Sequence, residues 1–450
     1  MTTPTAAEAA YAEVERALLA RWPETRLDPS LDRIRRLVDL MGDPQASYPV
    51  IQLTGTNGKT STARMVDALL RGLGLRTGRF TSPHLESMTE RISVDGDPIS
   101  TEGFVRTYHE VKPYADVVEK TLGHPVSFFE AVTGMAYAAF ADAPVDVAVI
   151  EVGLGGAWDA TSVADAQIGV VTPIAIDHAH LLGDTPAQIA VEKAGILKPG
   201  SFGVLAQQPV EAAEVLIRHA AEVGVTVARE GLEFALTSRL PGVGGQVISV
   251  RGLGGEYDEV LLPLLGAHQA QNAACAIAAV EAFVGGIELD GDAVREAFTT
   301  VTSPGRLELV RRSPSIVLDA AHNPAGAAAT AAAMQESFAF SPLIGVVGVM
   351  ADKDVEGVLA ELEPILAEII CTQNSTRRAM PAADLADVAE GIFGPDRVRV
   401  VRRLDEAIDT AAGLAEQGES WGDALGSGGV LVTGSVITVG EARRLLGGAH

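Results

Sequence analysis

Residues Gly55-Thr56-Asn57-Gly58-Lys59-Thr60-Ser61 follow directly on the apolar run Val50-Ile51-Gln52-Leu53. A buried strand here runs into a turn punctuated by glycines, and Lys59-Thr60 opens a helix. Glycines let the backbone turn sharply and aim several N–H groups at one point, and the positive end of the following helix adds to the field there. The turn reads as a phosphate cradle. Thr56, Asn57 and Gly58 wrap the anion, Lys59 reaches the terminal phosphates of ATP, and Thr60 offers a hydroxyl to Mg²⁺, with Ser61 as the alternative. The usual P-loop has another glycine five residues before Gly58, where this chain has Leu53. The cradle is therefore a shortened one.

A phosphate-binding turn between strand and helix demands a parallel sheet around it, and the pattern supplies one. Thr77–Thr81, Val147–Glu151 and Ile168–Thr172 read as strands. Leu31–Met41, Phe128–Phe140 and Thr185–Gly195 read as helices, the last capped by Thr185 with Pro186 in its first turn. Such alternation predicts a parallel sheet with helices on both faces. Residues 231–262 break the rhythm with Gly-rich, strand-like pieces and predict a small antiparallel patch. Ala267–Phe283 follows as a long Ala-rich helix. A boundary falls near Ser303-Pro304-Gly305, beyond which alternation restarts with strands at Ile316–Leu318, Leu343–Gly348, Ile369–Thr372, Val398–Val400 and Val430–Thr433. The expected fold class is α/β: a P-loop domain with a parallel sheet over residues 1–303 and a smaller, Rossmann-like C-terminal α/β domain over 304–450.

Charge and cysteines narrow the setting. Lys and Arg number 34 against 59 Asp and Glu, a net −25. So acidic a chain disfavours nucleic acid and anionic membranes as partners, and anionic substrates need locally placed cations. The cysteines, Cys275 and Cys371, lie far apart in apolar contexts and read as buried thiols in a reducing, cytoplasmic setting. The N-terminal stretch lacks the basic start and apolar core of a signal peptide. No apolar stretch approaches the ~18 residues of a membrane span.

Several strand ends carry chemistry. Glu151 ends a hydrophobic strand and is followed by Gly153-Leu154-Gly155-Gly156. Ligands of open α/β sheets bind outside the carboxyl ends of strands, so a carboxylate there, opposite the cradle, is a natural Mg²⁺ ligand. Asp177-His178 lie beyond the strand ending at Thr172-Pro173, where His178 reads either as a metal ligand or as a packing residue. Lys193, beside Glu192, reads on its own as half of a solvated pair, and Ser82 is equally ambiguous. In the second block, Asp319-Ala320-Ala321-His322-Asn323-Pro324 follows the strand Ile316–Leu318. Capping accounts for Asn323 and Pro324 but not for Asp319 and His322 at one strand end. Arg306, beside the interdomain Pro-Gly, is placed to swing with a closing domain and neutralise phosphate charge.

The shortened G-T-x-G-K cradle is typical of the Mur ligase superfamily. The order of the remaining motifs goes further: Thr81-Ser82-Pro83-His84-Leu85, Glu90-Arg91-Ile92, Phe128-Phe129-Glu130, Glu151 with its glycines, Asp177-His178, Glu192-Lys193-Ala194-Gly195-Ile196, His268-Gln269 with Asn272, Pro304 to Glu308, Asp319 to Pro324, Asp352-Lys353-Asp354 and Thr433-Gly434-Ser435. From about residue 30 to 440 this order resembles folylpolyglutamate synthase/dihydrofolate synthase.

The resemblance implies an ATP-dependent ligase. A folate or dihydropteroate carboxylate takes the γ-phosphate of ATP, and the amine of L-glutamate displaces phosphate from the acyl phosphate. It implies two Mg²⁺ ions, the first on Thr60 and Glu151, the second on Ser82, Glu151 and His178, with Lys193 carbamylated in support. Lys59, His178, Lys193 and Arg306 carry the catalytic roles. It places Asn272 and Arg306 on ATP, Asp319 and His322 on its ribose or adenine side, and Phe128, Glu130, Trp158, Asp159 and Ser435 at the substrates. His322 and Ser435 are alternatives for seating glutamate. Members often carry Arg-Leu-Asp-Ala-Thr-Asn where this chain has Ala157-Trp158-Asp159-Ala160-Thr161-Ser162, so an Arg is lost at Ala157 and Trp158 gains a ring that either stacks on a pterin or packs. A monomer is the expected state. The rival reading within the class is another Mur-type amino-acid or peptide ligase. From a different class, a P-loop switch would need an Asn-Lys-x-Asp base reader or an acidic Walker B pair, and neither stands at a suitable place.

Overall fold

A computed structural model describes residues 5–23, 29–417 and 428–447. Seventeen strands run in chain order among these residues: β1 Val50–Thr54, β2 Thr77–Phe80, β3 Ile92–Val94, β4 Asp97–Pro98, β5 Val147–Glu151, β6 Ile168–Val171, β7 Phe202–Leu205, β8 Thr226–Arg229, β9 Ala235–Gly242, β10 Gly245–Arg251, β11 Glu256–Leu262, β12 Glu308–Arg312, β13 Ser315–Leu318, β14 Leu343–Val347, β15 Glu368–Cys371, β16 Val398–Val400 and β17 Gly429–Thr433. They form three sheets, ordered β4-β3-β2-β5-β1-β6-β7-β8, β11-β10-β9 and β12-β13-β17-β14-β15-β16.

The first sheet is parallel except at one edge, where β3 and β4 pair antiparallel. The second large sheet is parallel except for β12. Both large sheets are thus parallel through their centres, as expected, with antiparallel strands added at one edge of each. The antiparallel strands sit at edges, where a hairpin adds a strand without a crossover helix. The central strands β1 and β5 are buried at every position, as strands covered on both faces must be. The expected antiparallel patch at 231–262 is the three-stranded sheet.

Local chemistry sets the helix starts. Ser127 and Glu130 form a capping box at the start of the helix Phe128–Asp142. Thr185 caps Pro186–Ala194, with Pro186 in the first turn. The helix Ala267–Phe283 is buried along most of its length and shares one core with the helix Lys59–Gly72 and the three-stranded sheet. Its alanines allow that close approach. Cys275 and Cys371 are buried free thiols. Among the described residues no helix is long and apolar enough to cross a membrane.

Register places the chemistry. β1 lies between β5 and β6, with Leu53 opposite Glu151 and Thr54 opposite Val171. The cradle, Glu151 and the Thr172–His178 segment therefore leave three adjacent strand ends. In the other sheet β17 lies between β13 and β14, with Leu318 opposite Val432 and Val347 opposite Thr433. Asp319–Asn323, Gly348–Lys353 and Gly434–Ser435 leave that trio of ends. The two sets of carboxyl ends share one cleft.

Candidate active site

The cradle is built on two glycines that nothing else replaces. Gly55 has φ +146°, and a Cβ there would stand 1.9 Å from Thr172 Oγ1. Gly58 has φ +88°, caps the helix Lys59–Gly72, and packs so closely that a Cβ would meet Asn272 Oδ1 at 2.6 Å. The turn differs from expectation at its start. The N–H groups of Thr56 and Asn57 both donate to Pro173 O, at 3.0 and 3.3 Å. They bind the neighbouring strand end rather than face the cradle. The Thr56 hydroxyl is likewise spent on Ala175, accepting from its N–H at 3.0 Å. Thr56 and Asn57 nonetheless border the cavity beside the turn, together with Gly58 and the first helical turn.

Lys59 Nζ folds back on its own loop, donating to Gly55 O at 2.9 Å and Thr56 O at 3.1 Å. Lys193 Nζ donates to the same Gly55 O at 2.8 Å. Burial lowers the Lys59 ammonium from its ordinary range, with Glu151 and Asp177 opposing. Burial and then the Lys59 charge hold Lys193 well below the usual lysine value. Lys193 is therefore a buried amine under the cradle, not half of a solvated pair with Glu192.

Thr60 Oγ1 lies 2.9 and 3.1 Å from the two oxygens of Glu151, and Ser82 N donates to Glu151 Oε2 at 3.3 Å. Thr60, not Ser61, is thus the hydroxyl at the carboxylate. Ser61 Oγ instead meets Ser303 Oγ at 3.0 Å and accepts from Gln269 Nε2 at 3.2 Å. Burial raises the Glu151 carboxyl, and Lys59, Thr60 and Ser82 pull the other way. Hard oxygen donors around one carboxylate beside a phosphate cradle fit Mg²⁺, which needs only one or two carboxylates when water and phosphate complete its shell. No group of three or more His, Cys, Asp or Glu side chains is assembled for a metal among the described residues.

Asp177 holds the two domains together. Its carboxylate accepts from Lys353 Nζ at 2.5 Å and Asn323 Nδ2 at 3.2 Å, and lies 3.4 Å from His322 Nε2. Burial alone would raise this carboxyl, but His322, Lys353 and His178 together pull it well below the usual range. Asn57 and Asn323 exchange hydrogen bonds at 3.3 and 3.1 Å across the same cleft. His178 Nε2 lies 3.2 Å from Lys353 Nζ. Burial lowers its imidazolium to about 4, against the pull of Asp177. Neutral imidazole is the metal-binding form, yet its nitrogen here meets an ammonium. Lys353 was legible only as part of an ordered motif; its reach into the opposite domain was not.

Two cavities meet in the cleft. The first, about 430 Å³, is lined by the cradle, Glu151, Lys193, Asn272, Arg306, Asp319 and His322. The second, about 780 Å³, is lined by Trp22, Phe129, Glu130, Trp158, Asp159, Lys353, Arg378 and Ser435 among others. Ser82, Gly153, His178 and His322 line both. A nucleotide-sized space therefore opens onto a larger space at the phosphate end of the cradle.

Several expected contacts are differently employed. Phe128 lies in the core with Arg91 4.9 Å over its ring, and Phe129 lines the cavity. Neighbouring helical residues point about 100° apart, so only one of the pair reaches the cleft. Asp319 is consumed within its own domain, accepting from Leu307 N, Ala321 N and Thr330 Oγ1 at 3.0, 3.0 and 2.6 Å. It shapes the turns bearing Arg306 and His322 while still lining the smaller cavity. Glu130 pairs with Arg33 Nε at 3.0 Å and accepts from Ser127 N. Asp159 accepts from Leu154 N at 2.9 Å and from Thr161, which organises the glycine run after Glu151. Ser435 caps the helix Val436–Leu445. Asn272 donates to Gln269 at 3.1 Å. Trp158 lies against Gly155, within 3.3 Å of where a Cβ would be.

A P-loop domain and a second α/β domain that share one nucleotide-sized cleft define an ATP-dependent ligase of the Mur type. Family models agree: the Mur ligase middle domain matches residues 53–280 and the Mur ligase glutamate ligase domain matches residues 305–436. The chain is 50% identical to the dihydrofolate synthase/folylpolyglutamate synthase of Mycobacterium tuberculosis, over 98% of this chain and 94% of that one. The structure of Mycobacterium tuberculosis folylpolyglutamate synthase complexed with ADP superposes with a TM-score of 0.95, covering 98% of this chain and 99% of the other at 50% identity. An Escherichia coli FolC structure in complex with DHPP and ADP gives 0.85 at 28% identity, covering 99% of each. The chain belongs to the dihydrofolate synthase/folylpolyglutamate synthase family of Mur ligases.

Proposed function

We propose that this chain joins L-glutamate to folate-type carboxylates with ATP, making both folylpolyglutamates and, from dihydropteroate, dihydrofolate. The observation that carries the reading is the meeting of the two cavities at Ser82, His178 and His322. ATP in the smaller cavity presents its γ-phosphate at the seam, and the carboxylate of the acceptor enters from the larger one. Holding both at reacting distance removes much of the entropic barrier. The carboxylate oxygen attacks γ-phosphorus, ADP leaves, and the glutamate amine then displaces phosphate from the acyl carbonyl.

The residues divide this work. Lys59 and the first-turn amides of its helix neutralise the phosphoryl oxygens. Arg306 adds charge from the hinge side, and His322 stands at the seam from the second domain. Thr60 and Glu151 would hold Mg²⁺, which when bound supplies charge neutralisation at the transferring phosphoryl group. A second ion on Ser82, Glu151 and His178, with carbamylated Lys193 in support, belongs to the same reading and requires Lys353 to leave the His178 ring. Phe129 and Trp158 offer apolar walls to a pteridine, with Ser435, Lys353 and Arg378 on the opposite side for carboxylates. Residues 1–303 form the nucleotide-binding domain and 304–450 the glutamate ligase domain. The buried thiols suit a reducing, cytosolic setting, and in this reading the chain acts as a monomer. Glutamate-dependent phosphate release, measured separately with dihydropteroate and tetrahydrofolate, tests the assignment. Release with neither favours another Mur-type amino-acid ligase.

A further inference from the structure

The loop that begins at Ser82 is tied to the second domain at its far end. Four residues beyond Ser82, Glu86 Oε1 accepts from Arg443 Nη1 at 2.8 Å. The backbone between is pinned, because the Glu90 carboxylate accepts from the N–H groups of Leu85, Glu86 and Ser87 at 2.9, 2.9 and 2.7 Å. Leu85 O rests on Gly440, where a Cβ would come within 2.0 Å of it. The helix Val436–Leu445 thus approaches the loop as closely as a glycine permits.

Arg443 uses its other edge inside its own domain. Its Nε lies 3.1 Å from both oxygens of Glu308, and Glu308 Oε2 also accepts from Gly305 N at 2.8 Å. Gly305 immediately precedes Arg306. The three side chains are 16%, 28% and 15% exposed for Arg443, Glu86 and Glu308. These charges are shielded enough to differ from ordinary surface pairs. A planar, permanently charged fork can hold two carboxylates at a set angle, which a lysine cannot.

We propose that Arg443 is a positioning residue of the ligase reaction, acting through Glu86 on the loop of Ser82 and through Glu308 on the turn of Arg306. Arg443 lines neither cavity, so its effect passes entirely through those groups. The bridge fixes the separation between the Ser82–Glu151 contact in one domain and the arginine delivered by the other. Both then meet the nucleotide together. The inference rests on the ligase reading given above.

Glu86→Gln is the decisive variant, since it removes the charge from the cross-domain arm, leaving at most a neutral hydrogen bond there, and leaves Arg443 on Glu308. Its kcat for glutamate-dependent phosphate release falls about tenfold while its KM for ATP stays within about twofold, the pattern of a lost transition-state arrangement. Its melting temperature stays at the parental value. Arg443→Lys keeps more turnover than Arg443→Met, and adding Glu86→Gln to Arg443→Met costs nothing further. A Glu86→Gln kcat within about twofold of parental, or losses that multiply in the double variant, overturns the proposal. Parental protein without glutamate-dependent release overturns the ligase reading and the proposal with it. Parental turnover with an unaffected Glu86→Gln overturns the proposal alone.

Discussion

Thr60 Oγ1 lies 2.9 Å from Glu151 Oε1. A hydroxyl from the helix after the cradle and a carboxylate from the adjacent strand end thus converge where the phosphates of a nucleotide would arrive. Glu151→Gln keeps the shape of that carboxylate and one hydrogen bond to Thr60, but removes its charge. An amide is a poor substitute for a carboxylate on Mg²⁺. Titration of turnover with Mg²⁺ should show a half-saturating concentration raised by at least about tenfold, roughly 1.4 kcal/mol. An unchanged Mg²⁺ dependence contradicts the assignment.

Lys193 should carry a carbamate in the working enzyme. Burial and the Lys59 charge favour its neutral amine, the form that attacks CO₂; an N–C bond forms and a proton leaves. The product keeps one N–H, so the contact with Gly55 O at 2.8 Å survives the change. Protein equilibrated with ¹³C-bicarbonate should show a carbamate carbon that Lys193→Ala lacks. Lys193→Ala should be inactive and partly restored by small carboxylates. Absence of the label together with near-parental turnover of the variant contradicts this.

In the proposed reaction Arg306 acts in the arrangement closed over ATP. Arg306 lines the smaller cavity from the segment joining the two sheets, and its turn is held by Asp319 through Leu307 N at 3.0 Å. Arg306→Ala should lower turnover by about 10²-fold, the scale of one removed transition-state donor. ATP binding, measured by calorimetry without the acceptor, should weaken only a few-fold. Equal losses in both quantities would instead mean ordinary ground-state binding.

His84 links stability to pH. Arg91 Nε donates to His84 Nδ1 at 2.9 Å, which requires a neutral ring. Burial, then Arg91 and Arg444, lower its imidazolium to about 3. The unfolded chain binds a proton near pH 6.5 that the folded chain refuses until about pH 3. The stability held by neutral His84 is therefore complete above about pH 6.5 and declines as pH falls, by at most about 1.4 kcal/mol per pH unit. Urea unfolding at about pH 7 and about pH 5 should show a parental loss about 1–2 kcal/mol larger than that of His84→Gln, which keeps an acceptor but cannot titrate. Equal losses contradict the linkage.

Elements whose boundaries rest on local chemistry were legible in the chain. Thr185 and Pro186 mark the start of one helix, and the run of alanines marks Ala267–Phe283 to the residue. The cradle and Glu151 were legible because strand ends in a parallel sheet leave few places for glycines and carboxylates. Other features depend on tertiary partners that no local pattern encodes. The amides of Thr56 and Asn57 turn to Pro173 O, more than a hundred residues away. Phe128 and Phe129 are both aromatic at a helix start, and only packing decides which one enters the core. Asp319 sits at a strand end like Glu151, yet Thr330 on the following helix claims its oxygen. The helix Thr101–Leu122 has Pro113 in its interior, a residue that ordinarily argues against a continuous helix.

The most direct test of the account supplies purified protein with ATP, Mg²⁺, L-glutamate and either dihydropteroate or tetrahydrofolate, and follows phosphate release and product mass together, with Lys59→Ala as the blank. The account predicts one phosphate released for each glutamyl residue added to the pteroate, with release abolished by omitting glutamate and by Lys59→Ala. Phosphate release that ignores glutamate, or pteroates recovered at unchanged mass while the parental protein consumes ATP, would contradict it.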